Sequence, residues 1–347
     1  MTIEKKKFGG MIATGFDPQT KKKIKLYKND LAFSHGRSAM IWLVKNENFN
    51  SCIMCNYTWP AIPTLMKKLK LKISFFDLFE KKIEEKILKL KGRVLVIIPV
   101  FYGFKPWIDY KKLEKKFGNK IFVLIDAAQT AYGHLEYKSP KNGAILSCPH
   151  KSLGVNDGGI LRFKKINDKQ KKNYDLLKRE KIFLLIKKNS RILLNSNDLI
   201  KEKKGLKISK KLEENWNSFP PKKMSIKSLN KFRSISPLKH RIDRLKNYKY
   251  LYKHLKRYFI NSKELKLGTP FGYPLLFKKR DVLIKILHKD RVFATGLWSN
   301  NPYINKKFKN SYYFKKNFLT IPVDQRYDIN DLVILVQRVK DALKKIK

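Results

Sequence analysis

One apolar run, RVLVIIPVFYG at residues 93–103, restricts the fold more than any other stretch of the chain. It lacks the polar alternation of a half-solvated strand, and it suits a strand buried on both faces of a parallel sheet. KIFVLIDAAQ, at residues 120–129, reads as the next strand, buried up to Asp126. Around these runs, helix and strand patterns alternate. RSAMIWLVKN predicts a helix starting near Gly36, CIMCNYTW a strand, PAIPTLMKKLKL a helix opened by proline, and KISFFDL another strand. EEKILKLKG and YKKLEKKFGN are helical, the second ending at a glycine, while GAILSCPH and GGILRF make two more short strands. Such alternation predicts an α/β layered fold with a mostly parallel sheet between helices.

The pattern also divides the chain. Residues 1–30 read as an N-terminal arm with one charged turn, 31–222 as a large sheet-bearing domain and 223–347 as a smaller C-terminal α/β domain. From about 165 to 222 the sequence is lysine-rich and helical until Pro220 and Pro221 interrupt it. SPLKHRIDRLKNYKYLYKHLKRYF then carries apolar or aromatic residues every three to four positions, as a long packed helix does. YPLLF, the helix RDVLIKILHKD, the loop GLWSNNPY and a final helix near 329–345 complete the chain.

Charge is the unusual feature of the composition. Lys and Arg total 79 against 28 Asp and Glu, a formal net charge of +51. These residues are spread along the chain instead of forming one arm, and Lys outnumbers Arg, whereas specific phosphate and base recognition favours Arg. Solvated faces therefore explain the charge better than a specific nucleic-acid partner, although weak attraction to polyanions at low salt follows from it. Cys52 and Cys55 have CxxC spacing, but no second pair completes a metal site, and they read as small core residues. The third cysteine, Cys148, leaves an odd count that fits a reducing compartment. With no signal-peptide pattern and no run of about 18 apolar residues, a cytoplasmic protein without a membrane span is expected.

Four local features bear on chemistry. Asp126 closes a buried strand, and ligands of parallel sheets bind beyond the carboxyl ends of their strands. Lys151 stands in AILSCPHKSLGVNDGGILRF, a stretch otherwise built for burial and tight turning. SHGRSAM is a small-residue turn opening a helix, able to hold a phosphate on backbone N–H groups. Trp59 ends the strand in NYTWP, where a planar ring can stack. Each has a plainer explanation alone: a turn aspartate, a solvated lysine, a simple cap, a core tryptophan. Together they describe a site for pyridoxal 5′-phosphate (PLP), which takes a Schiff-base lysine and an acidic partner for its ring nitrogen.

Through nearly its whole length the chain also resembles the DegT-type sugar aminotransferases, fold type I PLP enzymes. The resemblance is carried by GRSAM, NYTWPAI, IDAAQTAYG and SCPHKSLGVNDGG, and more weakly by MSIKSLNKF and LTIPVDQRY. It implies that Lys151 is the Schiff-base lysine and proton carrier and that Asp126 pairs with the pyridinium. It gives Gln129 a place at the ring oxygen, Trp59 a place over the ring face, and Arg37 and Ser38 contacts to the cofactor phosphate. Ser225 falls where the family places a cross-subunit phosphate contact. The chain departs from the family at Cys148, where a related subgroup carries serine, so that the phosphate hydroxyl from this strand would come from Ser147 or Ser152 or be absent. It also departs at MSIKS, which replaces an N-Y-R turn.

The function implied is amino transfer from an amino acid, glutamate foremost, to a nucleotide-linked keto sugar, by a homodimer serving surface polysaccharide biosynthesis. Sugar dehydratases on the same scaffold carry histidine at the lysine position, and Lys151 counts against that chemistry. A non-catalytic member of the fold that has lost the cofactor is the remaining alternative.

Overall fold

In the computed structural model, residues 6–10, 17–20, 24–194, 196, 198–215, 220–258 and 267–346 are described. Parts of the expected N-terminal arm (1–5, 11–16 and 21–23) lie outside them. Seven strands form one sheet: β1 Asp30–Phe33, β2 Ser51–Cys55, β3 Lys72–Phe76, β4 Val94–Pro99, β5 Ile121–Ala127, β6 Gly143–Ser147 and β7 Gly159–Phe163. Their order is β1-β7-β6-β5-β4-β2-β3. β7 runs antiparallel to both its neighbours, and all other pairs are parallel. Helices α1 Gly36–Glu47, α2 Ala61–Lys68, α3 Glu84–Leu88, α4 Tyr110–Phe117 and α5 Gly133–Glu136 connect these strands. α6 Asp168–Asp175, α7 Ile182–Leu194 and α8 Leu199–Asn215 follow the sheet, then α9 Ile226–Arg233 and α10 Pro237–Leu255. A two-stranded antiparallel sheet of β8 Gly272–Leu276 and β9 Phe318–Pro322 stands with α11 Arg280–Lys289, α12 Lys309–Asn317 and α13 Ile329–Lys344.

The apolar runs of the sequence become the central strands because alternate residues feed two different cores. Val94, Val96 and Ile98 of β4, with Val123 and Ile125 of β5, join a core shared with Tyr248, Tyr273, Phe318 and Leu335. Leu95 and Ile97, with Phe122 and Leu124, face the other way, onto Trp42 of α1 and Leu65 of α2. Each such side chain contributes about 1.5–3 kcal/mol by leaving water, so one polar substitution on either face costs much of a domain's net stability. Cys52 and Cys55 are free thiols in β2, one in each core, and burial raises both far above the usual thiol range. Among the described residues, no helix is long and apolar enough to cross a membrane, and no cluster of His, Cys, Asp or Glu is placed to hold a metal.

β1, β9 and α12 carry too little periodicity to stand out in the sequence. β1 is only four residues long, and its place is set by tertiary partners. On its inner side Asp30 lies opposite Arg162 of β7. The guanidinium donates to both carboxylate oxygens, at 2.6 and 2.7 Å, and to the His134 carbonyl at 2.6 Å. On its outer side residues 222–224 run along the strand: Ser34 N–H donates to the Lys222 carbonyl and Met224 N–H to the Ala32 carbonyl, each at 2.9 Å.

The Asp30 side chain is fully enclosed, so removing it strands a largely buried arginine. Asp30→Ala is expected to destabilise the protein by about 3–5 kcal/mol in chemical denaturation. A loss within 1 kcal/mol, about the value of a surface pair, would show that the pair does not hold the edge.

Candidate functional site

A cavity of about 570 Å³ opens at the carboxyl ends of β4, β5 and β6, lined by Arg37, Trp59, Asp126, Gln129 and Lys151 among others. Alternation along β5 sets its floor. Asp126 keeps the parity of Phe122 and Leu124, which face α1, so its carboxyl turns to that side where the strand ends. Asp126 is buried, and its Oδ1 accepts from the Ala128 N–H at 3.1 Å. Burial raises its pKa, an effect opposed by the Lys151 ammonium and then by the Ala128 bond.

Lys151 reaches the cavity from a single 3-10 turn, Pro149–Lys151, just past β6. Because β6 pairs in parallel with β5, Ala127 opposite Ser147, that turn leaves the sheet beside Asp126. Trp59 follows β2, and its ring lies 4.6 Å from the Arg37 guanidinium carbon and 5.9 Å from Lys151 Nζ. The ring and both cations therefore share one wall, at distances where the π face attracts positive charge.

The N-terminus of α1 faces the same space. His35 caps it, Nδ1 accepting from the Ser38 N–H at 3.0 Å. Burial foremost, then Arg37 and two lysines, hold this imidazole's pKa well below the ordinary value, so it stays a neutral acceptor. Gly36 is required there: a Cβ would come within 2.6 Å of Cys148 Sγ. Cys148 lines the cavity beside Lys151, its thiol pushed up to about 11 by burial.

The three expected serines lie elsewhere. Ser38 Oγ accepts from the Lys222 N–H at 2.8 Å and donates to the Lys222 carbonyl at 3.3 Å. Ser147 Oγ accepts from the His134 N–H at 2.9 Å and lies 2.9 Å from that imidazole's Nδ1. Ser225 caps α9 and donates to Asp157 at 2.8 Å. Ser38, Ser147 and Ser152 do not line this cavity, and Ser225, expected across a subunit boundary, does not line that of its own chain. Gln129 does line it, while its Oε1 accepts from the Tyr102 N–H at 2.8 Å. That bond steadies a left-handed residue, Tyr102 at φ +51°, next to Phe101 of the cavity lining.

Sequence reasoning gave no role to a further part of the wall. Residues 295–301, noted only as part of a loop, bring Trp298 and Asn301 to the cavity. Trp298 packs edge-on against Tyr57 at 5.1 Å. The Asn301 amide donates to the Asn56 and Thr58 carbonyls at 3.0 and 2.6 Å, tying the loop to the Trp59 turn. Gly296 and two adjacent asparagines were the available trace of a loop shaped for close approach.

Because its folded pKa lies above the ordinary 3.8, ionised Asp126 destabilises the cofactor-free fold. The unfolded chain loses this proton first as pH rises, so the penalty is absent well below 3.8, grows above it and is complete once the folded carboxyl has ionised too. Asp126→Asn is expected to raise the melting temperature at pH 7, with the gain vanishing as pH falls through that window. A variant less stable than the parent at pH 7 would contradict the burial argument.

No family model and no curated protein matches the sequence. Solved structures do match. NtdA from Bacillus subtilis, with bound cofactor PMP, is 13% identical with a TM-score of 0.62, the match covering 91% of this chain and 73% of that one. Helicobacter pylori PseC, an aminotransferase involved in the biosynthesis of pseudoaminic acid, is 12% identical with a TM-score of 0.61, covering 98% and 100%. A DegT DnrJ EryC1 StrS aminotransferase from Brucella abortus is 12% identical with a TM-score of 0.58, covering 90% and 85%. At such identities the likeness is one of fold. From its mostly parallel seven-stranded sheet to its C-terminal helices, the chain has the fold of the DegT-type sugar aminotransferases.

Proposed function

We propose that the protein is a PLP-dependent aminotransferase that moves an amino group from an amino acid to a keto sugar carried on a nucleotide. The observation that carries this reading is one cavity holding an accessible amine, Lys151, beside a buried carboxylate, Asp126, under the ring of Trp59. The cofactor's chemistry fits these groups. Burial disfavours the Asp126 anion, and a pyridinium N–H at that end would stabilise it as Lys151 does. The α1 N-terminus and the Arg37 guanidinium offer the opposite charge to a phosphate. The cavity volume lies within the ordinary range for small-molecule sites.

When bound, PLP supplies the electron sink that makes the donor's α-hydrogen removable. The chain's own residues do the rest. Asp126 would hold a proton on the ring nitrogen. Lys151 Nζ would take the proton from the donor's α-carbon and keep it near the face from which it came. Trp59 would cover the ring and, with Trp298, which also lines the cavity, would exclude water. Gln129 supports the wall beside the ring. Because the Ser38 and Ser147 hydroxyls are engaged within the chain, phosphate binding within one chain would fall to Arg37 and backbone N–H groups of α1, with Ser225 the proposed contact across the dimer.

Glutamate is the proposed donor, and a surface polysaccharide the proposed destination. A sugar acceptor is supported by the likeness to an aminotransferase of pseudoaminic acid biosynthesis. The proposed working form is a cytoplasmic homodimer, its large domain spanning 31–222 and its smaller one 223–347.

Purified protein soaked with PLP is expected to turn yellow, and its band to shift on addition of glutamate. Borohydride is expected to fix the cofactor on the peptide containing Lys151. Lys151→Ala is expected to abolish that fixation and lower turnover at least about 100-fold. A protein that stays colourless after soaking would instead be a scaffold of this fold.

A further inference from the structure

The turn that presents Lys151 is closed by its own bonds but oriented from outside. Internally, Lys151 N–H donates to the Cys148 carbonyl at 3.1 Å, and Leu153 N–H to the Pro149 carbonyl at 2.9 Å. His150 Nδ1 lies 2.6 Å from the Gly158 carbonyl. From outside comes Arg191, buried in α7 with 4% of its surface exposed. Its Nη2 donates to the His150 carbonyl at 2.6 Å and its Nη1 to the Val155 carbonyl at 2.5 Å. Nη1 also stands 3.5 Å from Asn156 Oδ1.

The His150 carbonyl and the Lys151 N–H belong to one rigid peptide plane. That plane is gripped at both ends, by the guanidinium and by the Cys148 carbonyl. Fixing it places the Lys151 Cα, and the Ser152 N–H bond to the Pro149 carbonyl at 3.1 Å holds the next peptide, so together they set the direction in which the Lys151 side chain leaves the backbone. A planar fork of donors can hold two carbonyls at a set separation, which a single ammonium cannot. The base of the fork is itself tied down. Ser190 Oγ donates to the Gly205 carbonyl at 3.0 Å, joining α7 to α8. Glu202 of α8 pairs with Lys7 at 2.8 Å and with Arg291 at 3.0 Å. Across the turn, Asp17 accepts from the Gly154 N–H at 2.7 Å and Gln325 donates to the Ser152 carbonyl at 3.0 Å.

We propose that Arg191 is a positioning residue for Lys151, aiming its amine into the cavity by gripping the peptide that precedes it. The proposal rests on the reading of Lys151 as the reactive amine, and its test separates the two. Arg191→Gln and Arg191→Lys are compared with the parent as full-length proteins. In the cofactor-free state, amide hydrogen exchange across residues 148–158 is expected to quicken at least about 10-fold in Arg191→Gln and less in Arg191→Lys, while β4 and β5 keep their protection. The rate of PLP capture on Lys151, stopped with borohydride, is expected to fall about 10–100-fold in Arg191→Gln and to recover partly in Arg191→Lys. Non-covalent PLP affinity in a Lys151→Ala background is expected to change less than about 3-fold when Arg191→Gln is added, since the grip acts on aim and not on affinity.

Unchanged exchange across 148–158 overturns the proposal, and so does faster exchange with an unchanged capture rate. If the parent captures no PLP, the aminotransferase reading falls, and exchange alone decides whether Arg191 holds the turn. If Arg191→Gln loses protection throughout the sheet, Arg191→Lys decides by the same criteria.

Discussion

Asp126 ends a strand at a place where the sheet, α1 and the following turn leave its carboxyl little water. An anion there is stable only near compensating positive charge, and the architecture around it follows from that need. Parallel pairing of β5 with β6 sends the next turn past the same edge, and Lys151 is on that turn. β2, two strands from β5 on the side away from β6, ends at the segment bearing Trp59, whose ring faces Lys151 and Arg37. The cavity is thus a product of strand direction. Antiparallel neighbours would have scattered these chain ends to opposite sides of the sheet.

Much of this was legible in the order of residues. The β4 and β5 runs identify themselves, since few environments besides a doubly covered strand accommodate so many consecutive apolar side chains. Asp126, Lys151 and Trp59 stood out because each sits at the end of a recognisable element. The serines were harder. Ser38, Ser147 and Ser225 occupy promising positions, yet a hydroxyl takes whichever donor or acceptor folding brings first. Here those were Lys222, His134 and Asp157, between 13 and 184 residues away in the chain. Nothing local announces such partners. The wall built by residues 295–301 was hidden for the same reason, as its contacts with the Trp59 turn cross about 240 residues.

The interior also inverts the composition. Lysine dominates the sequence, but the buried lysines and arginines among the described residues are Arg37, Arg191, Arg244 and Arg280, with Lys187 alone of its kind. Arg244 donates to the Pro270 and Phe271 carbonyls much as Arg191 does to its own pair. A guanidinium satisfies several carbonyls from one plane and gives up its hydration more readily than an ammonium, so it tolerates enclosure. The net charge of +51 is thus mostly an exterior property, and of the lysines and arginines lining the cavity only Arg37 and Lys151 are among the described residues.

The short segment at 222–224 that runs beside β1 has a consequence for how the molecule behaves in company. An outermost strand with bare peptide groups is a template onto which a foreign chain can add, and fibrous aggregates grow that way. Here two of those groups are already occupied by the protein's own backbone. On that flank, crowding offers a neighbouring molecule little to extend.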